Sequence, residues 1–113
     1  MKLIAATAIA AAVLAATPAM ADDAAIALAK KSNCMPACHS QTAKVIGPAY
    51  QDIGKKYAGD KNAEAMLFDR VKKGTAATGG NKWPGPPIPM PPNTAVSDDN
   101  IKILVKWILA GAK

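Results

Sequence analysis

Apolar side chains recur at helical spacing in the C-terminal segment of the chain. The spacing is i, i+3, i+4, i+7 and i+8, and the residues are Ile101, Leu104, Val105, Ile108 and Leu109. A stripe of this kind covers one face of an amphipathic helix. Ser97 precedes the stripe and is a residue type that caps helix N-termini. The pattern therefore predicts a final helix that begins after Ser97 and turns one face to the core.

Three further segments are predicted to be short helices. The first covers residues 22 to about 33, with acidic residues at its start and lysines near its end, and the second covers residues 49–57. The third starts at Asn62 as its cap and stops at Gly74. No segment alternates apolar and polar residues as a strand does, and no internal repeat occurs. We therefore predict an all-α fold of about four short helices around a cavity bounded by loops.

A long segment rich in Gly and Pro separates the third helix from the last one. It covers residues 74–92 and includes Trp83, Ile88 and Met90. The Gly and Pro content leaves no predicted helix or strand here. Because a flexible linker would not usually carry these apolar groups, we expect an ordered loop with a functional role.

The N-terminal segment has the layout of a secretory signal. Lys2 stands near the start, an apolar run covers residues 3–16, and Ala19-Met20-Ala21 forms a small-residue cleavage site. A membrane anchor and an amphipathic first helix are the alternatives, but the run is shorter than the roughly 20 residues that cross a bilayer. We therefore expect residues 1–21 to be removed, residues 22–113 to form a single domain with no stable membrane anchor, and the mature chain to act in the periplasm.

The net charge of the full chain is +6, and its basic residues are spread along the sequence. A spread of this kind forms a solvated surface that can steer docking onto an acidic partner. The export signal and the lack of a basic cluster with interleaved aromatic residues argue against nucleic acid as a partner.

The two cysteines and the only histidine lie within six positions. Cys34 and Cys38 are separated by three residues, and His39 follows directly. Two cysteines with an adjacent histidine are typical of covalent haem attachment, in which thiols add to the vinyl groups and the imidazole binds the iron. A short disulfide, or a soft-metal site that adds Met35 to these three residues, is the alternative.

The spacing of the cysteines is one residue longer than in the usual Cys-x-x-Cys-His motif. On an ideal helix, side chains three residues apart differ by about 60° in direction around the axis, and side chains four residues apart differ by about 40° in the opposite sense. The two thiols therefore cannot bind the haem ring with the geometry of the usual motif. Pro36 cannot continue a helix and favours an extended conformation at Met35. We therefore expect the first helix to end near Cys34 and the extra residue to bulge.

Met90 is the candidate for the sixth ligand of the iron. It lies between Pro89 and Pro91, which restrict the backbone and would hold a thioether with little reorganisation. A methionine in such a loop is ordinarily a gap filler. Met66 competes for the role, but its helical spacing assigns it to the core.

Several stretches together resemble a known family, the short class I bacterial cytochromes c of the cytochrome c-551 type. The resemblance covers essentially the whole mature chain. It is carried by Asn33-Cys34-Met35, Ala37-Cys38-His39, Val45-Ile46-Gly47-Pro48-Ala49-Tyr50, Ile88-Pro89-Met90-Pro91-Pro92-Asn93, Val96-Ser97-Asp98-Asp99 and Lys106-Trp107. It implies a class I cytochrome c fold and a monomeric electron carrier with one covalent haem c, not an enzyme. The implied acceptors are terminal reductases, notably nitrite reductase, or oxidases, and the donor would be a cytochrome complex or another carrier.

The resemblance also implies roles for individual residues. It assigns the two thioethers to Cys34 and Cys38, and the proximal and distal iron ligands to His39 and Met90. Three more residues would surround the haem: Pro48 accepting a hydrogen bond from the second nitrogen of the ligating histidine, Trp83 binding a propionate, and Asn93 near the ligating sulfur. Trp107 is assigned to the core of the last helix.

The chain departs from the family pattern at Pro36 and in a longer path over residues 84–87. Two other functions stay open. One is a haem enzyme or gas sensor in which Met90 dissociates. The other is a haem-free periplasmic metal-binding module. For an electron carrier, docking would use an apolar rim near the cysteine segment (residues 34–39) and the Met90 loop (residues 88–93). Lys44 or Lys82 would lie at the periphery of this rim.

Overall fold

The computed structural model describes residues 18–79, residue 83 and residues 88–113. This part of the chain contains five helices and no strand, which confirms the all-α prediction. The helices are α1 Pro18–Lys31, α2 Tyr50–Lys56, α3 Ala63–Lys73, α4 Thr75–Thr78 and α5 Asp98–Leu109.

Helix α5 is the centre of the core, as its apolar stripe predicts. It packs against α1, α2 and α3. Ile101, Leu104 and Val105 have almost no exposed surface, and Ile108 and Trp107 are buried beside them. Burial of one such aliphatic side chain contributes about 1.5–3 kcal/mol, so this face of α5 stabilises the arrangement of the three helices around it. The Ser97 hydroxyl accepts the Asn100 N–H at 3.2 Å, which confirms the predicted cap.

The first helix begins earlier than predicted, and it ends at Lys31, about two residues before the predicted end. It starts at Pro18 instead of residue 22, and proline is well tolerated in a first turn because its missing N–H has no helical partner there. Beyond Lys31, Asn33 takes a left-handed conformation with φ 60°. The Cys34 N–H then bonds back to Ala29 O at 2.9 Å, which closes the helix and turns the chain into the cysteine segment.

Two details of the sequence-based prediction are wrong. Residues 75–78 form α4 within the Gly- and Pro-rich segment, for which the sequence predicts no helix, so the described residues hold five helices instead of about four. Asn62 precedes α3 but makes no capping hydrogen bond with its side chain, because its backbone is already helical at φ −94° and ψ −6°. The Asp60 carboxylate instead accepts the Asn62 N–H at 2.9 Å. Gly74 does end α3, with φ 82°.

Three expectations concern segments outside the described residues. They are the first part of the secretory signal, the lysine at position 82, and the extended path over residues 84–87. Among the helices in the described ranges, none combines the length and apolar character that a membrane crossing requires.

Candidate functional site

One cavity of about 690 Å³ lies between the cysteine segment, helices α2, α3 and α5, and the Met90 loop. A cavity of this size falls in the range of cofactor sites. All the site residues proposed from the sequence line it: Cys34, Cys38, His39, Pro48, Trp83, Met90 and Asn93. Residues from three separate parts of the chain therefore meet at one site.

The His39 imidazole is buried and held on one edge by a backbone carbonyl. Its Nδ1 donates to Pro48 O at 2.8 Å, because a carbonyl can only accept. Burial lowers the pKa of His39 below its ordinary value, and the bond to Pro48 opposes this shift only in part. The ring is therefore neutral, with its proton on Nδ1 and the lone pair on Nε2 free to bind a metal.

Two neighbours fix the plane of the His39 ring. Tyr50 stacks on it with a centroid distance of 4.7 Å and an interplanar angle of 17°. Gly47 approaches it so closely that an added Cβ would lie 2.8 Å from Nδ1 and 3.0 Å from Nε2. The Gly47 N–H also donates to Cys38 O at 2.7 Å, which ties this glycine to the cysteine segment. Only a residue without a side chain leaves room for the ring in this position.

The extra residue between the cysteines is taken up in a wide turn. The His39 N–H donates to Cys34 O at 2.9 Å, a bond that spans five residues instead of the four of an α-helical turn. The Met35–Pro36 peptide bond within it is cis. Neither cysteine is in a disulfide; Cys34 is buried and Cys38 is partly exposed. Both border the cavity, so the bulge expected from Pro36 leaves both thiols at the same site.

The Cys34 thiol is buried, and its Sγ donates to Ser32 O at 3.7 Å. Burial raises the pKa of Cys34, which favours the neutral thiol. The Asn93 amide lies 3.9 Å from its Sγ and 3.5 Å from Ser32 O. The resemblance implies that Asn93 lies near the sulfur of Met90; in the structure its amide contacts the Cys34 side of the same cavity.

The Met90 loop is bound to α4 by two hydrogen bonds. The Met90 N–H donates to Thr75 Oγ1 at 2.7 Å, and the Thr75 N–H donates to Met90 O at 3.0 Å. Beyond the prolines, the Asn93 N–H donates to Val71 O at 2.8 Å. Met90 and Asn93 are therefore held by α4 and α3, as expected of an ordered loop; residues 80–82 and 84–87 of the predicted loop lie outside the described residues.

Two cationic side chains, Lys56 and Arg70, contact aromatic rings that line the cavity. The Lys56 ammonium lies 4.4 Å from the centroid of the Trp83 ring. The Arg70 guanidinium donates to the Tyr57 hydroxyl at 2.7 Å, while its buried Nε has no hydrogen-bond partner among the described residues. A buried donor without a hydrogen-bond acceptor is costly.

Sequence reasoning did not assign site roles to Gly47, Tyr50, Arg70 or Thr75. Arg70 offered a signal, since it stands among the apolar positions that define the buried face of α3. A charged residue at such a position favours a specific acidic partner over solvent. Thr75 offered none, because its role depends on a contact with a residue 15 positions later.

The donor set fits a covalently attached haem. The cavity is mainly apolar and brings together two thiols, a neutral imidazole with a free Nε2, and a thioether. Arg70 also lines the cavity, and a guanidinium suits a carboxylate, a group that haem carries on its propionates. Within the described residues, no group of three or more His, Cys, Asp or Glu residues is placed to hold a metal ion.

Comparison with known proteins agrees with this assignment. The chain matches the cytochrome c family over residues 23–112. It is 47% identical over 83 residues to cytochrome c-551 of Pseudomonas aeruginosa, which covers 74% of this chain and 72% of that protein. It is 46% identical over 82 residues to cytochrome c-552 of Nitrosomonas europaea, which covers 73% of each protein.

The fold is also similar to that of solved structures. The crystal structure of wild-type Nitrosomonas europaea cytochrome c552 matches with a TM-score of 0.65 and 43% identity, covering 76% of this chain and 98% of that one. The class 1 cytochrome MtoD of Sideroxydans lithotrophicus matches with a TM-score of 0.62 and 34% identity, covering 80% of this chain and 96% of that one.

Proposed function

Because the chain belongs to the cytochrome c family and carries one covalent haem c, we propose that it is a periplasmic one-electron carrier with His39 and Met90 as axial ligands. The relatives are small electron-transfer cytochromes, which supports a carrier and not an enzyme. The observation that carries the proposal is that His39 and Met90 border one cavity, each held by a specific hydrogen bond. When bound, haem supplies a reversible ferric–ferrous couple.

His39 is the proximal ligand in this proposal. The Pro48 carbonyl holds the proton on Nδ1, so Nε2 presents its lone pair, and Tyr50 and Gly47 fix the plane of the ring. Such outer contacts set the orientation and basicity of a ligating histidine. The ligand therefore needs little rearrangement between oxidation states.

Met90 is the distal ligand. Its thioether favours ferrous iron and raises the reduction potential. Prolines on both sides and the two bonds to Thr75 restrict the loop, which disfavours a sensor or enzyme that opens this coordination position.

Cys34 and Cys38 form the two thioethers. Support comes from the wide turn that ends at His39, which lets both thiols border the cavity despite the extra residue. Trp83 and Arg70 then bind the propionates, since both border the cavity and both side chains carry N–H donors.

The partner-facing surface is the apolar rim of the cavity. Val45, Ile46 and Ile88 are exposed by 43%, 51% and 58%, and Lys44 lies beside them. Such a rim suits short-lived docking with a redox protein, and surrounding positive charge mainly raises the association rate with an acidic acceptor. The acceptor is a terminal reductase of the nitrite reductase type or an oxidase.

The test uses protein purified from cells that mature c-type cytochromes. Met90→Ala is expected to lower the reduction potential and to let the ferrous protein bind carbon monoxide, because a coordination position opens. The control is Met66→Ala, which removes a thioether that packs on the core and does not border the cavity. If Met90→Ala and Met66→Ala behave alike, Met90 is not a ligand.

Location and partner are tested with the unmodified protein. Intact mass of periplasmic material is expected to show the loss of residues 1–21 and the addition of one haem through two thioethers. The reduced protein is then mixed with a purified nitrite reductase or a terminal oxidase and followed by stopped-flow absorbance. Failure of both acceptors to reoxidise it would exclude these partners.

A further inference from the structure

We propose that Thr75 is a positioning residue that controls whether Met90 stays in place, an inference that rests on the proposed role of Met90 as distal ligand. Its hydroxyl accepts the Met90 N–H at 2.7 Å, and its own N–H donates to Met90 O at 3.0 Å. Both bonds connect α4 directly to the residue that carries the thioether.

The sequence around Met90 makes the hydrogen bond from the Met90 N–H to the Thr75 hydroxyl unusually important. Pro89, Pro91 and Pro92 have no N–H, so Met90 holds the only backbone donor in residues 89–92. A segment with one donor cannot be ordered by a ladder of backbone hydrogen bonds. That donor is satisfied by a side chain, and a single substitution can therefore remove the bond without changing the backbone.

The backbone at Gly74 brings Thr75 within reach. Gly74 has φ +82°, a conformation that residues with side chains rarely adopt. A Cβ at Gly74 would lie 2.8 Å from Met90 O and 2.9 Å from Pro92 N. The chain therefore ends α3 at a glycine, passes close against the Met90 loop, and starts α4 with the threonine that binds it. The position of α4 in the fold is explained by this contact.

Removal of the hydroxyl should favour the dissociated state of Met90. In Thr75→Val the Met90 N–H loses its acceptor while the loop is closed, but regains water when the loop opens. The open state is therefore expected to become more populated on the order of tenfold, which corresponds to about 1.4 kcal/mol. Valine has nearly the shape of threonine, so the packing around the buried Thr75 should be retained.

The experiment compares three variants of the haem-loaded protein. Thr75→Val removes the hydroxyl, Thr75→Ser keeps it, and Thr78→Val makes the matched change in the same helix. Thr78 is a suitable control because its hydroxyl donates to Gly74 O at 2.8 Å and has no bond to Met90. The readouts are the sulfur-to-iron charge-transfer band of the ferric protein, its affinity for added imidazole, and the exchange rate of the Met90 amide by nuclear magnetic resonance.

The expected result is specific to the Thr75 hydroxyl. Thr75→Val should weaken the charge-transfer band, bind imidazole roughly tenfold more tightly and exchange the Met90 amide faster. Thr75→Ser should stay near the parent, and Thr78→Val should differ from it only in thermal stability. Equal behaviour of Thr75→Val and Thr78→Val would overturn the inference.

A parallel Met90→Ala variant distinguishes a failure of the inference about Thr75 from a failure of the proposed ligation by Met90. If Met90→Ala abolishes the charge-transfer band while Thr75→Val does not change it, Met90 is a ligand and Thr75 does not position it. If Met90→Ala leaves the band intact, the proposed ligation itself is wrong, and the inference about Thr75 falls with it.

Discussion

Substitution of Gly47 by alanine is expected to disturb the proximal side of the haem site directly. The new methyl group would lie 2.8 Å from His39 Nδ1 and 3.0 Å from Nε2, and closer still to Cε1. The ring has little freedom to move away, because Tyr50 stacks on it at 4.7 Å and Pro48 O holds Nδ1 at 2.8 Å. The methyl group therefore forces either a shift of the Gly47 backbone or a rotation of the imidazole.

The size of the effect follows from the cost of overpacking. Inserting one methyl group into a well-packed site typically costs about 1–3 kcal/mol. For a domain of this size, each kcal/mol lowers the midpoint of thermal unfolding by roughly 4–8 °C. Gly47→Ala should thus unfold about 5–20 °C below the parent chain, and the His39–Pro48 hydrogen bond should weaken as the ring shifts.

Gly54→Ala is the matched control for this variant. A methyl group at Gly54 would collide with the carbonyl oxygen of Ile108, so it also costs stability, but it meets α5 and not the imidazole. Thermal unfolding, the visible spectrum and the reduction potential are measured for both variants. Both should lose stability, while only Gly47→Ala should alter the spectrum and the potential. A Gly47→Ala protein with the parent spectrum and potential would refute the claim that this glycine makes room for the ligand.

Two further outcomes are expected. Ser97→Ala should lower the free energy of unfolding by about 1 kcal/mol, because the Asn100 N–H at the start of α5 loses its acceptor. Chemical denaturation measures this loss, and the visible spectrum should stay unchanged. Arg70→Gln should lower the unfolding midpoint of the haem-loaded protein more than Tyr57→Phe does, since Tyr57→Phe removes only the partner of one guanidinium nitrogen. Equal losses from these two variants would mean that Arg70 has no acidic partner in the cavity.

The elements that could be predicted from the sequence are those whose cause is local. Helix α5 is predictable because its stripe and its Ser97 cap lie within one continuous segment. In the structure, Ile101, Leu104, Val105 and Ile108 of the stripe are buried and Leu109 is partly buried. The cysteine segment is recognisable for a similar reason, since the thioether formation and the iron ligation proposed for it need residue types that are adjacent in the chain. Met90 stands out because the prolines around it restrict the backbone.

The elements that could not be predicted depend on contacts between distant residues. Helix α4 has four residues, too few for any periodic pattern, and its start is fixed by the close approach of Gly74 to the Met90 loop. The predicted cap at Asn62 failed for a related reason: propensity allows asparagine to cap, but the turn before α3 places Asp60 to accept the backbone N–H instead. Residue type alone does not decide which of two neighbouring residues, Asp60 or Asn62, accepts a backbone N–H before α3.

The spacing of the cysteines shows how a departure from a motif can be absorbed. On an ideal helix, the third and the fourth residue after Cys34 point in different directions. A regular helical turn would therefore place the Cys38 thiol differently from the second thiol of the usual motif. The chain leaves the helix before this point, because Asn33 at φ 60° ends α1 and Pro36 prevents its continuation. The His39 N–H then bonds to Cys34 O across five residues, which adds one residue to the loop while holding both of its ends. This bond fixes the positions of Cys34 and His39 at the two ends of the loop. The extra residue therefore changes only the path between the cysteines, and His39 and the Cys34 thiol border the same cavity.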